Sequence, residues 1–438
     1  MKPSVYKKHH HGFISRMWLL LIRIFKGSSP QNQSTFSAKT KFKLIAALIL
    51  ILCFIVSLLI YHTWEEPLVS PLTHNSWISF TTRPQTLFSE IFSTNRKKIV
   101  YGFLPYWNLE SAVIQPEVTH LSYFGLNIAE DGNINTKDED GNTHPGYRHL
   151  DSDKLLGLAN QVNQADNQFE LTLVQFDADT IVKIANDPQA HSNLIQAIDS
   201  MLLSYPISGI NIDIEYGGTI TDELRDNFAN LIEKIANHLN HKFDDVTLSI
   251  DMYASASNNR QLWDVPRIGR AVDYIVVMAY DFHRRGSPQA GPVAPLFGGK
   301  DKWDTDIHQH LREFLRYVPK DKLLLGIPFY GYGWQTDSRS QQANSYPESG
   351  FTATYSSVQE LLQNKEKYQV QTGWDNIALC PYLSYEKEDK IYMIYYEDVT
   401  SIKFKLEYVK QLDLAGIAIW ALGYEGPQRD LWDVVSTL

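Results

Sequence analysis

Cysteine is almost missing from this chain, with two residues, Cys53 and Cys380, in 438. A disulfide framework, a cysteine-based zinc site and an iron–sulfur cluster are therefore excluded. No cluster of His, Asp and Glu shows metal-ligand spacing, and His9, His10 and His11 read better as a solvated basic tail than as a metal site. No metal and no cofactor is expected. No segment repeats, which excludes a tandem array of small binding modules. No glycine-rich phosphate turn follows the first strand-like run, which argues against a doubly wound nucleotide fold. Acidic residues are absent from residues 1–43, which carry nine Lys and Arg. The formal net charge of −10 therefore leaves −19 for the rest. So acidic a body is a poor match for phosphate backbones, and nucleic acid is excluded as a partner. Aromatic residues are plentiful at 12%, which suits stacking on a flat ligand, although cores use the same residues.

Long hydrophobic runs are also scarce, and the exception is informative. Leu44 to Tyr61 (LIAALILILCFIVSLLIY) holds 18 residues without a charge. As a helix it is about 27 Å long, enough for the hydrocarbon core of a bilayer. Lys39, Lys41 and Lys43 precede it and Glu65 and Glu66 follow. That asymmetry predicts a single span with a cytoplasmic N-terminus and an extracytoplasmic body. A cleaved signal peptide fits less well, because its charged region would be 43 residues long and no small-x-small site follows closely. Phe13–Phe25 carries Arg16 and Arg23 within an apolar stretch, and reads as a helix lying in the inner interface. The expected organisation is a basic cytoplasmic segment (1–43), a transmembrane helix (44–61), a Ser-, Thr- and Pro-rich linker (62–96) and one domain (97–438), acting as a monomer.

From Lys97 onward, short β-rich runs alternate with helical patterns. The runs are Ile99–Leu104, Val118–Gly125, Glu170–Gln175, Gly209–Glu215, Val246–Met252, Tyr274–Tyr280, Leu323–Ile327 and Gly416–Ala421. The helical patterns include Asp153–Ala165, Thr180–Tyr205, Thr221–Leu239 and Thr305–Tyr317. Strand–helix alternation predicts parallel strands with crossover helices, and eight strands predict an α/β fold of the closed (β/α)8 TIM-barrel class. The interval between the seventh and eighth runs is much longer than the others. Its own strand signals (Phe351–Tyr355, Lys390–Tyr396) and helix signal (Ser357–Asn364) predict a small α+β insertion over about 333–396, walling one side of the barrel mouth.

The most telling stretch is Ser208-Gly-Ile-Asn-Ile-Asp-Ile-Glu215. Alternation places Ile210, Ile212 and Ile214 on one face and Asn211, Asp213 and Glu215 on the other. In a barrel the isoleucines pack on helices and the polar face points at the axis, where it is costly unless it serves a purpose. Glu215 falls at the C-terminal end, in the mouth, with Asp213 about 6–7 Å below it. Burial and a neighbouring anion both raise a carboxyl pKa, as a general acid requires.

This stretch resembles the signature Asp-Gly-x-Asp-x-Asp-x-Glu of glycoside hydrolase family 18, the chitinases and their relatives. Tyr101-Gly-Phe-Leu-Pro-Tyr-Trp107 resembles that family's first strand, Met278-Ala-Tyr-Asp281 its sixth, Gly326-Ile-Pro-Phe-Tyr-Gly331 its seventh and Gly416-Ile-Ala-Ile-Trp-Ala-Leu-Gly423 its eighth. Tyr280-Asp-Phe-His, Gly291-Pro-Val-Ala-Pro-Leu296, Tyr396-Glu-Asp-Val and Ala421-Leu-Gly-Tyr-Glu425 look most like bacterial spore-cortex and cell-wall N-acetylglucosaminidases. Ser208 and Asn211 depart from the signature's first two Asp residues. The second departure removes one buried charge, so that Asp213 is not expected to share a proton with a carboxylate beneath it.

The resemblance implies hydrolysis of β-1,4 bonds in N-acetylglucosamine-containing glycans, peptidoglycan or chitin, with retention and with the substrate's acetamido oxygen as nucleophile. Glu215 would be the acid and base, Asp213 would hold the acetamido N–H, and Tyr280 would donate to the acetamido oxygen. Asp281 would contact a sugar hydroxyl and Trp420 would floor the reacting sugar. Asn211, Tyr106, Trp107 and Trp334 are further candidates for substrate contact. A catalytically silent lectin of the same fold, or an endoglycosidase acting on N-glycans, remain the alternatives. Such lectins usually lack the acid, which is present here.

Overall fold

The computed structural model describes residues 97–138, 140–257 and 261–438. The expected basic segment (1–43), with its expected interfacial helix, and the expected transmembrane run (44–61) and linker (62–96) lie outside the described residues. Among the described residues, no helix is long and apolar enough to cross a membrane.

Eight parallel strands close into a barrel: β1 (Ile99–Pro105), β2 (His120–Asn127), β3 (Gln168–Gln175), β4 (Gly209–Ile214), β5 (Thr247–Tyr253), β6 (Tyr274–Met278), β7 (Leu323–Pro328) and, last in the ring, β13 (Gly416–Trp420), which pairs with both β1 and β7. The α/β barrel expected from strand–helix alternation is thus observed. Every residue of β4 is buried, because in a barrel one face meets helices and the other meets the axis. Ile210, Ile212 and Ile214 join the large core between strands and helices, each burial contributing about 1.5–3 kcal/mol. A smaller cluster of Tyr101, Phe103, Phe124, Val174, Val276 and Leu324 fills the axis.

Helices start where short polar side chains satisfy the first backbone N–H groups. Thr221 caps Asp222–Lys242, accepting from Leu224 N at 3.0 Å. That helix carries Asp222 and Glu223 in its first turn and His241 and Lys242 in its last, matching its dipole. It buries the face running through Leu224, Phe228, Leu231, Ile235 and Leu239. The stretch Thr180–Tyr205, expected as one helix, is two: Ala178–Asn186 and Pro188–Ser204. Pro188 has no N–H to continue the ladder, and Asp187 ends one helix and caps the next by accepting from Gln189 N at 2.8 Å.

Between β7 and β13 lies a five-stranded antiparallel sheet of β8 (Tyr330–Thr336), β9 (Phe351–Thr354), β10 (Gln371–Asp375), β11 (Cys380–Lys387) and β12 (Lys390–Tyr395), in the order β10-β11-β12-β8-β9, with helix Tyr355–Gln363. It begins at Tyr330, earlier than the sequence pattern suggests. Within β8, a Cβ at Gly331 would run into the carbonyl oxygen of Tyr395. Glycine is what lets the neighbouring backbone approach.

Candidate active site

The polar face of β4 enters the barrel axis. Asn211 is fully buried and Asp213 nearly so, while Glu215, just past the strand, sits partly exposed at the mouth with its N–H bonded to the Gln175 carbonyl at 3.0 Å. Beneath them runs a column of polar side chains. Asn211 donates from Nδ2 to Ser249 Oγ and to Asp251 Oδ1, both at 2.9 Å. Tyr101 donates to Glu170 Oε2 at 2.6 Å, and Ser249 reaches the same oxygen at 3.4 Å.

Above the column opens a cleft of about 290 Å³, lined among others by Asp213, Glu215, Asp251, Tyr280, Asp281, Trp420 and Trp107. The structure thus brings five expected residues, on or just past the C-terminal ends of β4, β6 and β13, together with Trp107 from the turn after β1, into one cavity. Trp420 stands edge-to-face with Phe124 at 4.6 Å and Trp107 at 6.4 Å, giving the cleft an aromatic floor. Trp107 and Phe176 are half-exposed at the cleft, as ligand-stacking rings are. Asp281 takes a left-handed backbone conformation (φ 62°), which Asp tolerates better than most residues. Its carboxylate accepts hydrogen bonds from the hydroxyls of Tyr330 and, at 3.2 Å, of Tyr332.

Three expected contacts fall elsewhere. Trp334 is fully buried, with Nε1 donating to the Arg284 and Arg285 carbonyls, each at 3.1 Å. It follows Tyr330 and Tyr332 on the same face of β8, one step further from the barrel mouth, and props the loop after β6. Tyr106 packs edge-on against Trp107 at 4.9 Å, behind the lining. Asn211 lies one layer below the cleft, bonded to protein.

Burial pushes the Glu215 carboxyl above its ordinary value, Asp281 adds to the rise, and a hydrogen bond from Tyr253 and the charge of Arg284 oppose it. Asp213 is driven up by burial first, then by Asp251 and Glu215, and its Oδ1 has no hydrogen-bond partner among the described residues. Asp281 is raised by burial, against its two tyrosine hydrogen bonds. The cleft therefore offers a carboxyl that holds its proton more firmly than an ordinary one, a second carboxyl with an open acceptor, a phenol in Tyr280 and an apolar floor. That set can protonate a leaving oxygen and stabilise an adjacent cation.

Asp251 and Tyr253 were not among the expected residues, although the signal was present. Thr247–Tyr253 alternates as strictly as β4 does, with Leu248, Ile250 and Met252 on one face and Ser249, Asp251 and Tyr253 on the other.

The family Glycosyl hydrolases family 18 matches residues 87–425. The chain is 27% identical to a Bacillus subtilis glycosylase linked by its name to sporulation, over 58% of this chain and 56% of that protein. It is 23% identical to a cortical fragment-lytic enzyme of Bacillus anthracis over 72% of this chain and 67% of that one. Among solved structures, the Group IV chitinase of Ostrinia furnacalis bound to allosamidin superposes with a TM-score of 0.68 at 22% identity, covering 78% of this chain and 98% of that one. The chain spans little more than half the length of the first of these relatives.

Proposed function

The chain belongs to glycosyl hydrolases family 18, and from that premise we propose that it hydrolyses β-1,4 bonds of N-acetylglucosamine-containing glycans, peptidoglycan ahead of chitin, with retention and with the substrate's own acetamido group as nucleophile. One observation carries the reading: Glu215, Asp213 and Tyr280 converge on a single cleft floored by Trp420.

Glu215 donates its proton to the leaving glycosidic oxygen while the acetamido oxygen bonds to the anomeric carbon. Asp213 accepts from the acetamido N–H and balances the charge of the oxazolinium ion. Tyr280 donates to the acetamido oxygen and orients it. Glu215, now anionic, takes a proton from the incoming water, which opens the ring and restores the acid. Asp281, braced by Tyr330 and Tyr332, holds a sugar hydroxyl or its neighbours.

Peptidoglycan is preferred on two grounds. Curated relatives include cortical fragment-lytic enzymes, and residues 44–61 read as an anchor that keeps the barrel at the envelope. A reporter fused after Leu438 should be active only outside the cytoplasm, and cytoplasmic signal would overturn the anchor.

The test of activity is mass spectrometry of products from the detergent-solubilised full chain, offered peptidoglycan strands and chitin oligomers beside Glu215→Gln. Muropeptides ending in reducing N-acetylglucosamine establish the cell-wall reading, and chitobiose release moves it to chitin. Absence of any Glu215-dependent product refutes hydrolysis of both and favours a binding role.

A further inference from the structure

Asp213 faces a conflict. To stabilise an oxazolinium ion it must be anionic, yet it is almost fully buried, with its Oδ1 unpartnered and another carboxyl at the mouth. A group so placed holds a proton at rest and needs somewhere to put it when the cation forms. Residue 211, two positions below on the same strand, is an amide and takes no proton.

The neighbouring strand supplies the acceptor. β4 and β5 run parallel in register, Asn211 opposite Ser249 and Ile212 opposite Ile250. One step further, Asp213 and Asp251 stand side by side, their strands about 4.8 Å apart. Both point to the axis and both line the cleft. Asp251 is 3% exposed, and Asn211 donates to its Oδ1 at 2.9 Å, leaving Oδ2 for another partner. Asn211 and Asp251 therefore read as one device, with the amide holding the carboxylate that the amide's own position lacks.

We propose that Asp251 is the proton-sharing partner of Asp213, a positioning residue that takes the Asp213 proton when the acetamido group engages and returns it afterwards. The exchange conserves charge: Asp213 carboxylic acid plus Asp251 carboxylate becomes Asp213 carboxylate plus Asp251 carboxylic acid, one O–H bond breaking as another forms. The pair keeps a single negative charge beside the reacting sugar throughout. This rests on the substrate-assisted reading above.

The groups facing Asp251 are Asp213 and Glu215 from β4, Glu170 from β3, Tyr280 beyond β6, and Ser249 and Tyr253 on its own strand. Burial raises Asp251 most, Glu215 and Glu170 add to the rise, and Asn211 opposes it. Removing its charge releases Asp213 to ionise at lower pH.

The test uses the full chain in detergent and a chromogenic chitobioside. Asp251→Asn should lower kcat about tenfold or more, keep KM within about threefold, and move the acidic limb of the pH profile about one unit lower. The exchange Asn211→Asp with Asp251→Asn returns the carboxylate to β4 and should restore both toward the parent. An acidic limb unmoved in Asp251→Asn overturns the proposal, as does an exchange variant that folds without recovering. If Asp251→Asn does not fold, the exchange variant decides alone. If the parent turns over no substrate, the activity reading fails separately. Difference infrared spectra then decide: a protonated buried carboxyl at neutral pH should vanish in both Asp251→Asn and Asp213→Asn, and its survival in Asp251→Asn overturns the pairing.

Discussion

Tyr253, the last residue of β5, faces the carboxyl of Glu215 at the end of the adjacent β4, and its phenol draws that carboxyl toward the ionised form. This pull favours the carboxylate, against the burial that favours the acid. A group that must give a proton in one step and take one in the next benefits from such opposition, because neither form is held too firmly.

Tyr253→Phe removes that pull and leaves burial and Asp281 opposed by Arg284 alone, so Glu215 keeps its proton to higher pH. The alkaline limb of kcat/KM should move upward, with kcat reduced about three- to tenfold because the base form is less favoured. A pH–rate series on a chromogenic substrate checks it, and an alkaline limb at its parent position would contradict the arrangement.

Two tryptophans separate floor from prop. Trp420→Ala should cost about ten- to a hundredfold in kcat/KM, the worth of one apolar platform. Trp334→Phe should leave kcat/KM within about threefold and lower Tm by about 4–8 °C, since it loses the hydrogen bonds to the Arg284 and Arg285 carbonyls and leaves a cavity where the fully buried indole was larger. Steady-state kinetics and thermal melts on both variants distinguish the two roles.

Glu170, buried in the barrel axis, is pushed up from 4.5 to about 7 by burial, against its hydrogen bonds from Tyr101 and Ser249. As pH rises from about 4.5 the unfolded chain loses this proton while the folded chain keeps it, so stability falls until about pH 7. Glu170→Gln removes that loss. The stability of the variant relative to the parent should grow across this window by up to roughly 3 kcal/mol. Melting curves at pH 4.5 and 7.5 give the comparison, and a constant difference would show that Glu170 ionises normally.

Lys405 and Glu397 form an ion pair at 2.6 Å with side chains 0% and 1% exposed. Lys405→Met should destabilise by about 3–5 kcal/mol, because it leaves a buried carboxylate alone. Adding Glu397→Leu should recover most of it. Chemical denaturation of the single and double variants measures both, and a single variant as stable as the parent would refute the pairing.

Much of this arrangement is written in local pattern. The alternation Ile210-Asn-Ile-Asp-Ile214 is enough to separate an axis face from a helix face, since side-chain direction in a strand depends only on parity. Eight β-rich runs with helical stretches between most of them dictate the barrel for a similar reason, as each amphipathic helix must cover the strands it joins. Glu215 and Asp213 follow from that parity and from the strand's C-terminal end, where such barrels open, whereas Tyr280, Asp281 and Trp420 were legible only through the resemblance of their motifs to the family's.

Tertiary structure decided whatever depends on what stands beside a strand. Parity puts Asp251 on the axis but does not say that β5 lies next to β4 in the register that sets Asp251 beside Asp213; hydrogen bonding between the strands does. Tyr330, Tyr332 and Trp334 share one face of β8, yet only the docking of that sheet assigns two hydroxyls to Asp281 and turns the third ring to the loop carbonyls. Composition and periodicity act along the chain, whereas the proton balance of the cleft is set by distances across it.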